Sequence, residues 1–70
     1  MTNEMHKLNN SQRKSLRALF AGRSAVAVVV DEAIGFVTID FGSMTHWVLL
    51  GKRGRVYEHN YGPSYCNNGA

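Results

Sequence analysis

The chain has 70 residues, of which 44 % are apolar and 19 % charged, with a net charge of +3 and a pI near 9.4. This composition is typical of one small globular domain and excludes a disordered chain, although so short a chain buries only about 60 % of its unfolded surface. A single cysteine, Cys66, excludes an internal disulfide, and the longest apolar run, residues 25–30, is far below the roughly 20 residues that span a bilayer.

The first ten residues are polar and lack the apolar centre of a secretory signal. A chain with one cysteine and no export signal is typical of a reducing compartment. We therefore expect a cytoplasmic protein that has no association with a membrane.

An amphipathic helix is the first predicted element, because apolar and basic residues separate at 100° per residue. The apolar side carries Met5, Leu8, Leu16, Leu19 and Phe20, and the basic side carries Lys7, Arg13, Lys14 and Arg17. We expect Asn10 or Ser11 to cap a helix that ends at Ala21, with Gly22 as its left-handed C-terminal residue. A longer helix capped by Thr2 is the alternative, since Met5 and Leu8 keep the same phase.

Four short strands follow, at residues 25–30, 36–41, 45–51 and 55–59. The first is apolar at every position, which predicts burial on both faces, whereas the second and third alternate. Gly51 and Gly54 flank two residues and predict a tight hairpin turn. Gly62 and Pro63 interrupt the pattern and predict the end of the ordered part.

These elements predict an α+β fold: one N-terminal amphipathic helix packed on a four-stranded antiparallel meander, α-β-β-β-β. Residues 1–62 form the single domain, with residues 1–9 open to fraying, and residues 63–70 form a flexible tail. One helix covers only one face of the sheet. Either the strands curl into a partial barrel or a second copy covers the other face, and we favour the homodimer.

Catalytic chemistry is not predicted, because no nucleophile is set beside a base and no cofactor or metal motif occurs. Cys66 lies in the expected tail, so a pair with His59 would lack the fixed electropositive site that a reactive thiolate needs. A metal site built from the histidines and carboxylates of the strands would need ligands from both sheet faces. Such a site would use His46, His59, Asp40 and Glu58.

The hairpin at residues 51–62 is the predicted binding site. Its tip carries Lys52, Arg53 and Arg55, and its second strand carries Tyr57, His59 and Tyr61 at alternate positions. Basic and ring side chains in this order can contact phosphates and unpaired bases, or an acidic protein surface. A solvated turn with rings packed on the sheet is the alternative. Arg13, Lys14 and Arg17 form a second basic surface on the helix.

These features favour a small non-enzymatic binding protein that occupies a surface of a larger macromolecule, as an adaptor or inhibitor does. Proteins of this size are common among virus- and plasmid-encoded antagonists of host machinery. This comparison rests on size alone and not on any residue of the sequence. A sequence-tolerant nucleic-acid-binding protein is the alternative. A small ribonuclease with His46 or His59 as its base is a third and minor hypothesis.

Overall fold

One helix precedes a four-stranded antiparallel sheet in the computed structural model, which describes residues 2–64. A 3₁₀ turn lies at Met5–Lys7 and the helix, α1, at Asn10–Leu19. The strands are β1 (Ala27–Asp31), β2 (Phe36–Asp40), β3 (Met44–Leu50) and β4 (Val56–Pro63), and they lie side by side in chain order. The predicted α+β meander is confirmed.

Helix α1 begins at a capping box. The side chain of Asn9 accepts the Gln12 N–H at 2.9 Å, and the side chain of Gln12 accepts the Asn9 N–H at 3.0 Å. The cap is therefore Asn9 and not Asn10 or Ser11, and the helix ends two residues before Ala21. The longer helix is excluded, because the chain is extended between the 3₁₀ turn and α1.

The core lies between α1 and one face of the sheet, which we call the inner face. Val37 and Val48 are paired in the register and fully buried. Leu16 and Phe20 reach this face from the helix segment. The opposite, outer face has no helix on it among residues 2–64. The remaining core side chains are Leu8, Val28, Val30, Ile39 and Leu50.

Strand β1 is buried on one face only, which corrects the expectation that it is buried on both. Val28 and Val30 are 5 % exposed, whereas Val29 between them is 49 % exposed. A run of valines is typical of a strand covered by layers on both sides. Here a single helix supplies one layer, so the alternate valine points to the outer face.

The segment before α1 packs along β1 and covers the free edge of that strand. Asn3 forms a parallel bridge to Val28, and the N–H of Glu4 donates to the Val28 carbonyl at 3.0 Å. The Glu4 carboxylate accepts the Val30 N–H at 2.8 Å, and Leu8 is only 3 % exposed. Thr2, Asn3 and Glu4 are thus bound to the edge of β1, and Leu8 is buried in the core.

Strand β4 continues to Pro63, four residues beyond the predicted strand, and the order extends to Ser64. The Ser64 side chain is 7 % exposed and lies 2.7 Å from the Thr45 hydroxyl and 3.0 Å from the Asp40 carboxylate. This buried polar contact holds the end of β4 against the β2–β3 turn. The rest of the predicted tail, with Cys66, lies outside the described residues.

Candidate binding surface

The β3–β4 loop, residues 51–55, is docked on the N-terminal half of α1. Three helix-segment side chains donate hydrogen bonds to its backbone carbonyls. Asn9 donates to Lys52 at 2.7 Å, Gln12 to Gly51 at 3.2 Å and Ser15 to Gly54 at 2.5 Å. Because these bonds use the loop backbone, the basic side chains of the loop stay exposed.

A glycine is required at position 54 because the loop lies directly on the helix. Gly54 has a φ of +87°, and a Cβ there would lie 2.5 Å from the Ser15 hydroxyl and 2.6 Å from the Ser11 carbonyl oxygen. The predicted tight turn at Lys52 and Arg53 is confirmed, because the Gly54 N–H donates to the Gly51 carbonyl at 3.0 Å. The connection between the strands is longer than this turn: it spans residues 51–55, and Leu50 pairs with Val56. Lys52 and Arg53 are therefore held beside the helix and do not project on a free ribbon.

The three strand carboxylates lie on a different face from the bases, while Glu4 lies at the β1 edge and Glu32 borders the same cavity as Lys52. The strand carboxylates Asp31, Asp40 and Glu58 pair in the register with Phe36, Thr45 and Leu49, which places them on the outer face. The bases lie in the helix segment, in the residues flanking it and in the docked loop. Within residues 2–64, neither Lys14, Arg17 nor any loop base has a carboxylate within ion-pair distance.

The second predicted basic surface is divided by the helix geometry. Arg13 donates to the Leu8 carbonyl and to the Asn10 side chain, so its guanidinium is bound at the N-terminal end of the helix. Arg17 borders an apolar groove of about 350 Å³ on the flank of α1 away from the loop. Lys14 is exposed on the solvent side of the helix, between the side that holds the loop and the side that borders the groove.

The predicted aromatic stripe on β4 also separates into two groups. A bulge between Leu49 and Leu50 of the β3–β4 ladder leaves Tyr57 as the extra residue. Tyr57 covers Gly51, and the Arg55 guanidinium lies 5.4 Å above the centre of its ring. His59 and Tyr61, which pair with Val48 and His46, lie instead on the inner face.

A cluster of rings at the inner face contains the histidine pair of the molecule. Nδ1 of His46 lies 2.9 Å from Nε2 of His59, and the Phe20 ring meets both imidazoles edge-on at 5.0 and 5.6 Å. Burial, followed by the positive charges of His59 and Arg23, lowers the pKa of His46 below 6.5. The other rings of the cluster are Phe41 and Tyr61.

Sequence reasoning missed the residues that hold the loop in place. Asn9 and Gln12 could have been detected, because they have the spacing of a capping box, whereas Ser15 could not. The bonds from Asn9, Gln12 and Ser15 to residues 51–54 join positions about 40 apart in sequence. No local pattern predicts such contacts.

The described part of the chain contains no group of three or more His, Cys, Asp or Glu residues that could hold a metal ion. Within residues 2–64 no helix has both the length and the apolar character needed to cross a membrane. No family model, no curated protein and no solved structure matches this chain.

Proposed function

We propose that the protein is a non-enzymatic binding protein, an adaptor or inhibitor, that occupies an acidic surface of a larger protein. The observation that carries this proposal is the separation of charge: the strand carboxylates lie on the outer face, and unpaired bases lie on the helix side and in the docked loop. Such a field attracts an acidic surface and orients the small protein on it.

The docked loop supports this proposal because it reduces the cost of binding. Residues 51–55 are already fixed by three hydrogen bonds from the helix segment. Less loop entropy is then lost when a partner binds, and more of the interaction energy contributes to affinity. Lys52, Arg53 and Arg55 are the contact residues of the proposal, with Lys14 beside them on the helix. The mechanism is occupancy: the bound protein blocks or bridges the surface that it covers.

Affinity capture from the native host tests this function. The variant with Lys52→Ala, Arg53→Ala and Arg55→Ala should lose the protein that the unaltered chain captures. Ser43→Asp is a control for the effect of charge, because it adds a negative charge to an exposed position of the β2–β3 turn, at the end of the sheet opposite the loop. It should retain the partner. Capture that survives in the triple variant contradicts the proposal.

Nucleic acid is the second candidate partner, favoured by the guanidinium of Arg55 over the Tyr57 ring and by the 66 % exposure of Tyr61. Binding to mixed-sequence RNA should then weaken steeply between about 50 and 200 mM salt, because phosphate contacts release counterions. Captured material that is destroyed by nuclease and resists protease would favour this candidate over an acidic protein.

The homodimer through the outer sheet face and the cytoplasmic setting belong to the proposal as well. Trp47, Leu49 and Phe36 give the outer face an apolar, half-buried area that a second copy could cover. A dimer of this kind leaves the basic surface of each copy open to a partner.

A further inference from the structure

We propose, on the basis of the binding function above, that the open edge of β4 receives an extended acidic segment of the partner protein as a fifth strand. This inference specifies how the partner is held: its backbone pairs with β4, and its carboxylates meet the bases of the adjacent loop. Strand addition of this kind obtains affinity from main-chain hydrogen bonds and specificity from side chains at alternate positions.

The backbone of β4 presents unpaired groups at defined residues. Ser64 donates to the Ser43 carbonyl, which fixes the hydrogen-bonded pairs of the β3–β4 ladder. Along the register these pairs continue at Gly62, Asn60 and Glu58. The residues between them, His59 and Tyr61, therefore direct their N–H and C=O groups away from β3. Among residues 2–64 no strand pairs with β4 on that side.

Within the described residues 2–64, β4 forms the one edge of the sheet that is open in this way. The edge of β1 is covered by residues 2–4, whose backbone bonds to Val28, and by the Glu4 carboxylate on the Val30 N–H. An incoming strand is thus directed to β4. Pro63 occupies a position whose nitrogen faces the open edge, so it needs no partner there.

Charge selects an acidic segment as the occupant. The start of β4 adjoins Lys52, Arg53 and Arg55, while the one acid of the strand, Glu58, lies on the outer face. A second copy of β4 would bring no carboxylate to the loop. A partner strand with several acidic residues matches the bases of the loop.

The test uses a synthetic peptide of eight residues, the length of β4, with alternating Glu and Val. In an extended strand the Glu and Val N–H groups point to opposite edges. N-methylation of all the Glu residues or of all the Val residues therefore blocks one edge at a time. We expect one methylated peptide to bind like the parent and the other to bind at least about tenfold more weakly. The parent peptide should also slow the amide exchange of His59 and Tyr61.

Substitution of Tyr61 in the protein itself gives a second test of strand addition. Tyr61→Pro removes one outward N–H and leaves the bonds to β3 in place, whereas Tyr61→Phe keeps the N–H and the ring. We expect the parent peptide to bind Tyr61→Pro about tenfold more weakly and Tyr61→Phe with unchanged affinity. Because the methylated peptides use the unaltered chain, they decide the question even if Tyr61→Pro does not fold.

The outcomes separate this inference from the function on which it rests. Equal binding of the two methylated peptides, or loss of both, contradicts strand addition, while capture that depends on the loop bases would still support the proposed function. Protection of His59 and Tyr61 that rises with protein concentration alone assigns the edge to a second copy and overturns the inference. Protection of these amides by mixed-sequence RNA also overturns it. If the parent peptide does not bind, and capture of the partner does not depend on the loop bases, then strand addition and the proposed function are both contradicted.

Discussion

At the scale of single residues, His46 is the side chain whose charge the fold controls most directly. The residue is 8 % exposed, and its ring lies among aromatic rings with Nδ1 2.9 Å from Nε2 of His59. Burial comes first among the causes that hold its pKa below 6.5, followed by the charges of His59 and Arg23. His46 therefore remains neutral at a pH where an exposed histidine would accept a proton.

We predict that this burial makes the protein less stable in acid. The unfolded chain takes up a proton on His46 as the pH falls below about 6.5, and the folded chain does so only at lower pH, so the free energy of unfolding falls over that interval. Urea denaturation at about pH 7.5 and about pH 5 measures the change. His46→Phe should reduce the pH dependence, and His6→Gln, at an exposed site, should not. An unaltered dependence in His46→Phe would refute this prediction.

At the scale of elements, the contact between α1 and the β3–β4 loop can be tested with two glycines. Gly22 and Gly54 both have positive φ, at +78° and +87°, but only a Cβ at position 54 meets other atoms within 4 Å. We expect Gly22→Ala to cost about 1–2 kcal/mol, the cost of the left-handed backbone alone. Gly54→Ala should cost clearly more, because the loop must leave the helix. Equal losses in thermal or urea unfolding would show that the loop is not docked.

The N-terminal segment offers a second test at this scale. The Val30 N–H holds the pKa of the Glu4 carboxyl below 4.5, chiefly through the hydrogen bond between them, with Lys7 3.5 Å away. We predict that Glu4→Ala accelerates hydrogen exchange at the Val30 amide. Exchange at Val28 should change little, because its N–H bonds to the Thr2 backbone carbonyl. Uniform acceleration along β1 would mean that the whole segment detaches.

The elements themselves could be predicted from sequence because each has a local signal. The helix follows from its 3.6-residue period and the strands from alternation and turns. Their ends and register could not be predicted so well. A two-residue turn joined directly to regular strands would have paired His46 with His59. The left-handed Gly54 after the turn and the bulge at Tyr57 each shift the register by one residue, which places His46 opposite Tyr61. The docking of the loop on Ser15 depends on contacts that are distant in the chain.

The sequence predicted which residues form the candidate site, but it predicted only part of their spatial arrangement. The loop bases are exposed as expected, because charged residues in a turn are ordinarily in contact with solvent. The aromatic stripe was expected to be continuous, and the bulge divides it at Tyr57. The bases of α1 were expected to form one surface, yet Arg13 closes the helix start and Arg17 borders the apolar groove.

At the scale of the whole molecule, self-association through the outer face is a separate prediction. Sedimentation at micromolar concentration should give twice the chain mass of 7.8 kDa. Val29→Glu should yield the monomer, because Val29 lies on the outer face and is 49 % exposed. Val26→Glu, which is 51 % exposed and has the opposite parity in the chain, should leave the dimer intact. A mass near 7.8 kDa for the unaltered chain would reject the dimer.

The division of charge between the two faces can be measured directly by amide chemical-shift mapping of the ¹⁵N-labelled protein with poly-L-glutamate at low salt. We predict shifts at residues 52–55 and at Lys14, and none at the outer-face positions Thr38 and Val29. The shifts should decrease as salt screens the contact. Shifts that concentrate on the outer face, or no binding at low salt, would contradict the assignment of the binding surface to the helix side and its docked loop.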